Sequence, residues 1–461
     1  MKELKTIMNK VMKKINLLAV LIIAVLWVGC SDDFEPLFES SLDQEEMVFS
    51  YEGGEQLFQL ESNEQWSVEG LTDWVQLTVK DVEATTTRSS YDKGLKEITV
   101  VVQPNEKYES RSATILLQSP SKELTFVVTQ AKKPELMGYW ILSEGYAGQG
   151  NAELGWYDVK NDELKTKQFE AINGMKLGDT ANELKLYGSK MYCLVSGPGF
   201  GTDTPEGEAY VEVLNPQTGE SIKRIVFTNK DGVTAKPRNI VFEGSKAYIT
   251  SYMNEVVRLD TATLTLDAHV SLSGTLAEGL AYHNDKLYIC NSGQGEDNKI
   301  SVVDIESMKE VDIITTAMNP TGIVSVSDNQ LFFNTNYPEY ELYSLSSDNN
   351  AITKIENVRA GDVAFAGDNV YSCFYDWGTY SGASYVYNLS SKTGSELDLD
   401  LKGAGIPMIM EYHMSAINGS DDIYLSGMGQ DVVIIDGNTQ QVKHAFKMGV
   451  ANGTGVVAVY N

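Results

Sequence analysis

The sequence predicts an all-β protein, a small β-sandwich followed by a seven-bladed β-propeller that the C-terminal strand closes. Three observations carry this. A phrase made of a tight turn and an aromatic-led apolar strand recurs through the C-terminal two thirds of the chain. Its copies are spaced as four-stranded units would space them, and the region before them is a dense run of short alternating strands.

The phrase stands at residues 189–195 (SKMYCLV), 245–251 (SKAYITS), 285–291 (DKLYICN), 329–335 (NQLFFNT), 368–374 (DNVYSCF) and 421–427 (DDIYLSG). Its aromatic positions, Tyr192, Tyr248, Tyr288, Phe332, Tyr371 and Tyr424, lie 56, 40, 44, 39 and 53 residues apart. Alternating residues cut by Gly, Asn and Asp turns place an inner strand before each copy, near Asn182, Arg238, Glu278, Thr321, Asp362 and His413. That makes six blades. Residues 455–460 (GVVAVY) read as a seventh inner strand with nothing after it, and residues 139–169 supply only three outer strands. Pairing the two ends closes the ring and removes the open sheet edges.

Between residues 46 and 130 seven short strands are predicted, around residues 47–51, 56–60, 66–68, 74–79, 97–102, 113–117 and 124–128, which favours a sandwich. The order Trp66, Trp74, Ile98, Asn105, Arg111-Ser-Ala-Thr-Ile and Val128-Thr-Gln resembles the BACON family of immunoglobulin-like modules, whose name records a proposed carbohydrate-binding role. Trp66 and Trp74 lie on alternating strands where a sandwich core needs bulk, so the core claims them before a sugar does. The loop 82–94, with Arg88 and Tyr91, is the better place for a ligand, and spacer is the leading role of this module.

The N-terminus reads as an export leader. Residues 1–14 hold five lysines and one glutamate, and residues 15–29 are an apolar run broken only by Asn16, short for a membrane span of roughly 20 residues. The run ends in Trp27-Val-Gly-Cys30, which resembles a bacterial lipobox with Trp in place of the usual Leu. Cys30 is then the lipidated first residue, and Ser31-Asp-Asp resembles the acidic signal that sends lipoproteins to the outer cell surface. The expected organisation is a signal peptide at 1–29, an acidic tether at 30–45, the BACON-like sandwich at 46–132 and the propeller at 138–461, on an outer-membrane lipoprotein facing the exterior.

Charge narrows the partners. Without the leader 63 acidic and 31 basic residues remain, a net charge of about −32, which repels nucleic acid and anionic headgroups. A lipid anchor, not electrostatics, has to hold such a chain on a membrane. Cys193, Cys290 and Cys373 fall on second strands of different blades and read as small buried hydrophobes. Spacings for zinc, for an EF-hand, for a phosphate loop or for a nucleophile elbow are not found, so neither metal nor cofactor nor catalytic residue is assigned. His269 and His444 fall on outer strands and His283 on a turn. Only His413 begins an inner strand, with Asp362 as the one plausible acid/base partner.

Binding has the better support. Loops joining second to third strands, and links between blades, are long, whereas the other turns are short; propeller geometry puts the two long sets on one face. That face carries Tyr146, Phe200, Tyr252, Tyr337, Tyr340, Tyr375, Trp377, Tyr380 and Tyr412 with Asn239, Asn254, Asn291, Asn336, Asp362, Asp376 and His413. Flat rings with interleaved amides suit large amphipathic ligands or sugars. The densest patch is 374–380 (FYDWGTY).

The repeated strands, with Asn319-Pro-Thr-Gly322 and Val303-Asp-Ile, resemble the YVTN/YncE-like propellers. Residues 142–154 and 177–192 are similar to the DUF5074 and BtuG-type propellers, surface lipoproteins of which some capture cobamides, vitamin B12-like molecules, for a TonB-dependent transporter. That resemblance implies a non-enzymatic binder with its ligand on one propeller face. A glycan-binding lipoprotein of a polysaccharide-utilisation system and a propeller lactonase or lyase are the competing readings.

Overall fold

The computed structural model describes residues 35–42, 45–82, 94–199 and 204–461. The chain divides into two compact units between Pro134 and Glu135. The lipobox with Cys30, the residues Arg88 and Tyr91, and Phe200 lie outside the described residues. No helix among the described residues is long and apolar enough to cross a membrane.

The first unit is a sandwich of two four-stranded sheets. One runs in the order Phe38–Ser40, Gly54–Ser62, Gly94–Val102, Val75–Asp81; the other runs Glu46–Phe49, Glu123–Gln130, Arg111–Gln118, Ser67–Glu69. Alternation delivers Phe58, Leu60, Ile98, Val100, Ile115, Phe126 and Val128 to the shared core. One expectation needs correcting. The stretch read as an aperiodic tether contains an eighth strand, because Phe38–Ser40 pairs with Leu60–Ser62 and inserts Phe38 into the core. A three-residue strand shows too little alternation to be read, yet burying one Phe recovers roughly 2–3 kcal/mol, enough to hold it. The residues that carry the family resemblance prove to be joints. Trp66 is core. The Arg111 guanidinium stacks on Trp74 at 4.4 Å, donates to Gln130 Oε1 at 2.8 Å and reaches the Gln103 and Pro104 carbonyls. Gln130 in turn donates to Ser50, Tyr51 and Gln103 carbonyls, and Asn105 to those of Glu109 and Ala131.

The second unit is the seven-bladed propeller. Its inner strands are Gly453–Tyr460 for blade 1, then Ala181–Tyr187, Pro237–Glu243, Ala277–His283, Pro320–Ser327, Asp362–Ala366 and Glu411–Ala416 for blades 2 to 7. Blades 2 to 7 are each four consecutive antiparallel strands. Blade 1 is completed from both chain ends, Gly453–Tyr460 pairing along Leu136–Ser143. The recurring aromatics are interblade core as their spacing predicts: Tyr192, Tyr371, Tyr424 and Phe332 are among the largest fully buried side chains. Cys193, Cys290 and Cys373 are buried on the second strands of blades 2, 4 and 6, and desolvation pushes each thiol far up.

Two local departures matter for function. The outer strand of blade 1 stops at Lys165, three residues long, because Lys167 turns left-handed (φ 54°) and the chain enters the helix Gln168–Asn173. In blade 6 the second and third strands run on to Asp376 and back from Ser381, so the aromatic patch 374–380 is strand as far as Asp376 and only a four-residue tip at 377–380 is loop. Phe374 holds those extensions by packing on Tyr340 and Tyr385 and under the Arg359 guanidinium, 3.9 Å from its ring.

Candidate binding face and central channel

The seven inner strands surround a channel of ≈ 790 Å³. Each strand enters it from the face that carries the long loops, so the second and third residues of every strand form the channel mouth. The second positions are Thr454, Asn182, Arg238, Glu278, Thr321 and Tyr412, and the third are Gly455, Glu183, Asn239, Gly279, Gly322 and His413; in blade 6, whose strand is assigned from Asp362, the corresponding residues are Gly361 and Asp362.

The third position knits neighbouring blades. Glu183 accepts the Ile240 N–H at 2.7 Å, and Asp362 accepts the Met414 N–H at 3.0 Å, the same strut repeated four blades later. Where glycine stands, the backbones approach instead: a Cβ on Gly279 would lie 2.4 Å from the Thr321 carbonyl oxygen. The pair His413 and Asp362 therefore sits at 2.6 Å on a carboxylate already engaged by a backbone donor.

The second position supplies a polar cluster. Arg238 lies 3.0 Å from Glu278 Oε2, donates to Asn182 and stacks over Tyr252 at 4.5 Å. Burial works against its charge, but Glu278, Tyr252 and Glu144 outweigh that and hold the guanidinium firmly protonated. The Tyr412 hydroxyl donates to Glu144 Oε2. Desolvation raises the Glu144 carboxyl even so, with Tyr412 and Arg238 opposing, and burial followed by Glu144 drives Tyr412 far above an ordinary phenol. The mouth thus presents fixed donors and acceptors with little spare charge, a surface for orienting a polar ligand.

Of the residues expected on this face, Asn239, Asn336, Asp362, Tyr412 and His413 line the channel and Tyr252 backs Arg238. Tyr146, Tyr337, Trp377 and Tyr380 project from loops, between 51% and 76% exposed. Three others do not serve as expected. Asn291 is fully buried and spends its amide on the Ile289 and Lys299 carbonyls and Ser301 Oγ, because it is the last residue of the strand Lys286–Asn291 and its side chain turns into the blade. Tyr340 is interior, packed between Phe374, Tyr337 and Arg359. Tyr375 is likewise buried and supports Trp377 edge-on at 5.1 Å, while Asp376 caps the tip by accepting the Gly378 N–H. Sequence reading missed Glu144, Asn182, Arg238, Glu278 and Thr454 as mouth residues. For all but Glu144, which follows the second strand of blade 1, the signal was available in the strand register, since each inner strand offers its second residue to the axis. Among the described residues no group of three or more His, Cys, Asp or Glu side chains could hold a metal ion.

Fold and face together define the class: a β-propeller with one loop-rich face, preceded by a β-sandwich module. Residues 64–131 match the BACON family, described as "Putative binding domain, N-terminal". No curated protein matches the chain. Among solved structures, the chain is similar to a hydrazine synthase from Kuenenia stuttgartiensis, at 13% identity over 60% of this chain and 89% of that one (TM-score 0.49). It is also similar to a quinonprotein alcohol dehydrogenase-like protein from Bacteroides thetaiotaomicron VPI-5482, at 13% identity over 92% and 99% (TM-score 0.48). The WD40 repeats of RRP9 resemble it at 8% identity over 60% and 83% (TM-score 0.47).

Proposed function

We infer that this protein binds a bulky, partly aromatic or polyhydroxylated nutrient on the loop-rich face of its propeller and does not transform it. The observation that carries this reading is the set of exposed rings on that face, Tyr146, Tyr337, Trp377 and Tyr380, beside a channel mouth of fixed hydrogen-bonding groups. Large exposed aromatics cost solvation free energy and are retained where a ligand covers them. The proposed setting is a lipoprotein anchored through Cys30 to the outer surface of the outer membrane. The DUF5074/BtuG-type resemblance makes a cobamide the first ligand to test and a TonB-dependent transporter the proposed recipient.

Calorimetric and absorbance titration of the purified protein with a panel of cobamides tests the ligand. Binding is expected, and Trp377→Ala is expected to weaken it about tenfold or more, the loss of one well-packed aromatic contact. Absence of heat and of spectral change across the panel defeats the cobamide assignment. Cys30→Ser is expected to move the protein from the membrane to the soluble fraction; an unchanged distribution defeats the anchor.

A glycan ligand is the second reading, supported by the same exposed rings and by the BACON module. It predicts retardation in affinity gels containing the cognate polysaccharide, lost in Trp377→Ala. Catalysis by His413 and Asp362 has less support, because Asp362 occupies the strut position that Glu183 fills in blade 2. If a lactone-hydrolysing activity were found, its persistence in a His413→Ala, Asp362→Ala double variant would remove that pair from it.

A further inference from the structure

Away from the channel, a cavity of ≈ 270 Å³ opens on the same face between the helix Gln168–Asn173 and the link from blade 7 to blade 1. Glu153, the first residue of the third strand of blade 1, lines it while only 4% exposed. Its Oε1 accepts the Gly449 N–H at 3.1 Å, and its Oε2 has no hydrogen-bond partner among the described residues. Gly449 leaves that oxygen uncovered, since a Cβ there would lie 2.5 Å from it.

The propeller contains its own comparison. Glu255 holds the same place in blade 3, equally buried, where Oε2 accepts the Lys230 N–H at 3.2 Å and stands 3.6 Å from His269 Nδ1. His269 comes from an outer strand seven residues long, Thr265–Ser271. The outer strand of blade 1 ends after three residues, so no side chain from it covers Glu153, and the helix roofs a cavity in its place. A buried carboxylate oxygen that makes no hydrogen bond of normal geometry is costly, and burial accordingly raises the Glu153 carboxyl above its usual range, although the nearby Gly449 and Lys167 backbone amides pull it the other way. A ligand donor would remove that cost.

The rest of the cavity limits the ligand. Lys167 and Lys176 stand exposed at its rim with Glu170, and Leu154, Phe169 and Leu177 form an apolar wall. We propose that this cavity is a second binding site, for a small zwitterion whose ammonium group donates to Glu153 Oε2 while its anionic group meets Lys167 and Lys176. The site is separate from the channel mouth and does not depend on the ligand assigned there.

The test uses the full chain and three probes, glycine, L-alanine and phosphoethanolamine, followed by saturation-transfer NMR and calorimetry. At least one probe is expected to bind the wild type. Glu153→Gln is expected to weaken it at least tenfold, Lys167→Ala with Lys176→Ala severalfold, and Trp377→Ala not at all. The lysine pair is exposed, so that variant remains informative if Glu153→Gln fails to fold. No binding of any probe to the wild type overturns the proposal. So does binding that survives Glu153→Gln and the lysine pair, or binding lost in Trp377→Ala, which would place the probe on the aromatic rim.

Discussion

At the scale of single residues, burial decides which polar groups are at work. Glu411 is 8% exposed between blades 6 and 7, and its Oε2 has no hydrogen-bond partner among the described residues. It lies where the side chain of Gly382 would be, a Cβ there falling 2.1 Å from Oε2, one residue pair below the tip that carries Trp377 and Tyr380. Desolvation, with a smaller push from Glu396, raises this carboxyl from 4.5 to about 7. The folded form therefore keeps its proton through a range in which the unfolded chain has lost it. Below about pH 4.5 both states are protonated and no difference arises; between about 4.5 and 7 stability falls as pH rises, by roughly 3 kcal/mol in total, and above that it is level. Urea unfolding across this range should show the wild type losing that amount relative to Glu411→Gln, which cannot ionise. Parallel pH profiles would refute the assignment. The same logic separates the aromatics: Tyr340 and Tyr375 are interior supports, and Trp377 and Tyr380 are the rings a ligand can reach.

At the scale of elements, seven strands of one design do different work at each position. The fourth residue, such as Leu184, Ile240 or Met414, packs into the blade cores, while the third bridges to the next blade by a carboxylate in blades 2 and 6 and by a glycine contact in blade 4. Asp362→Ala is expected to strand the Met414 N–H and cost about 1–3 kcal/mol in urea unfolding, with Glu183→Ala costing a similar amount through Ile240. If Asp362→Ala were neutral while Glu183→Ala was not, the strut reading of Asp362 would fail and a functional role would regain ground. Strand length matters equally. The short outer strand of blade 1 exposes Glu153 to a cavity, and the long hairpin of blade 6 lifts Trp377 to its tip.

At the scale of the whole molecule, closure is the feature on which the propeller rests. Gly453–Tyr460 contributes Val456, Val457, Ala458 and Val459 to the interior and supplies the inner edge of blade 1. Removing residues 453–461 leaves Leu136–Ser143 an open edge and uncovers the cores on both of its sides, which offsets more than the net stability of an ordinary domain. Such a truncation is expected to lose its cooperative unfolding transition and to aggregate on size exclusion, and a synthetic 453–461 peptide should restore the transition. A monomeric, cooperatively melting truncation would show that closure is dispensable.

The sequence by itself determined the architecture: seven blades, their inner strands, the closing strand, the sandwich before them, and the face on which the long loops gather. It could do so because strand alternation, turn residues and a repeated aromatic are local signals, each written within about ten residues. What only the tertiary structure decided is which side chains meet. Phe38 was unreadable because its strand is three residues long and its partner strand begins sixteen residues later, and Asn291, Tyr340 and Tyr375 looked like face residues until neighbouring strands covered them. The Arg238, Glu278 and Asn182 cluster and the uncovered oxygen of Glu153 arise between residues some 40 to 300 positions apart. Their proximity is set by the closing of the ring, and no local pattern in the chain records it.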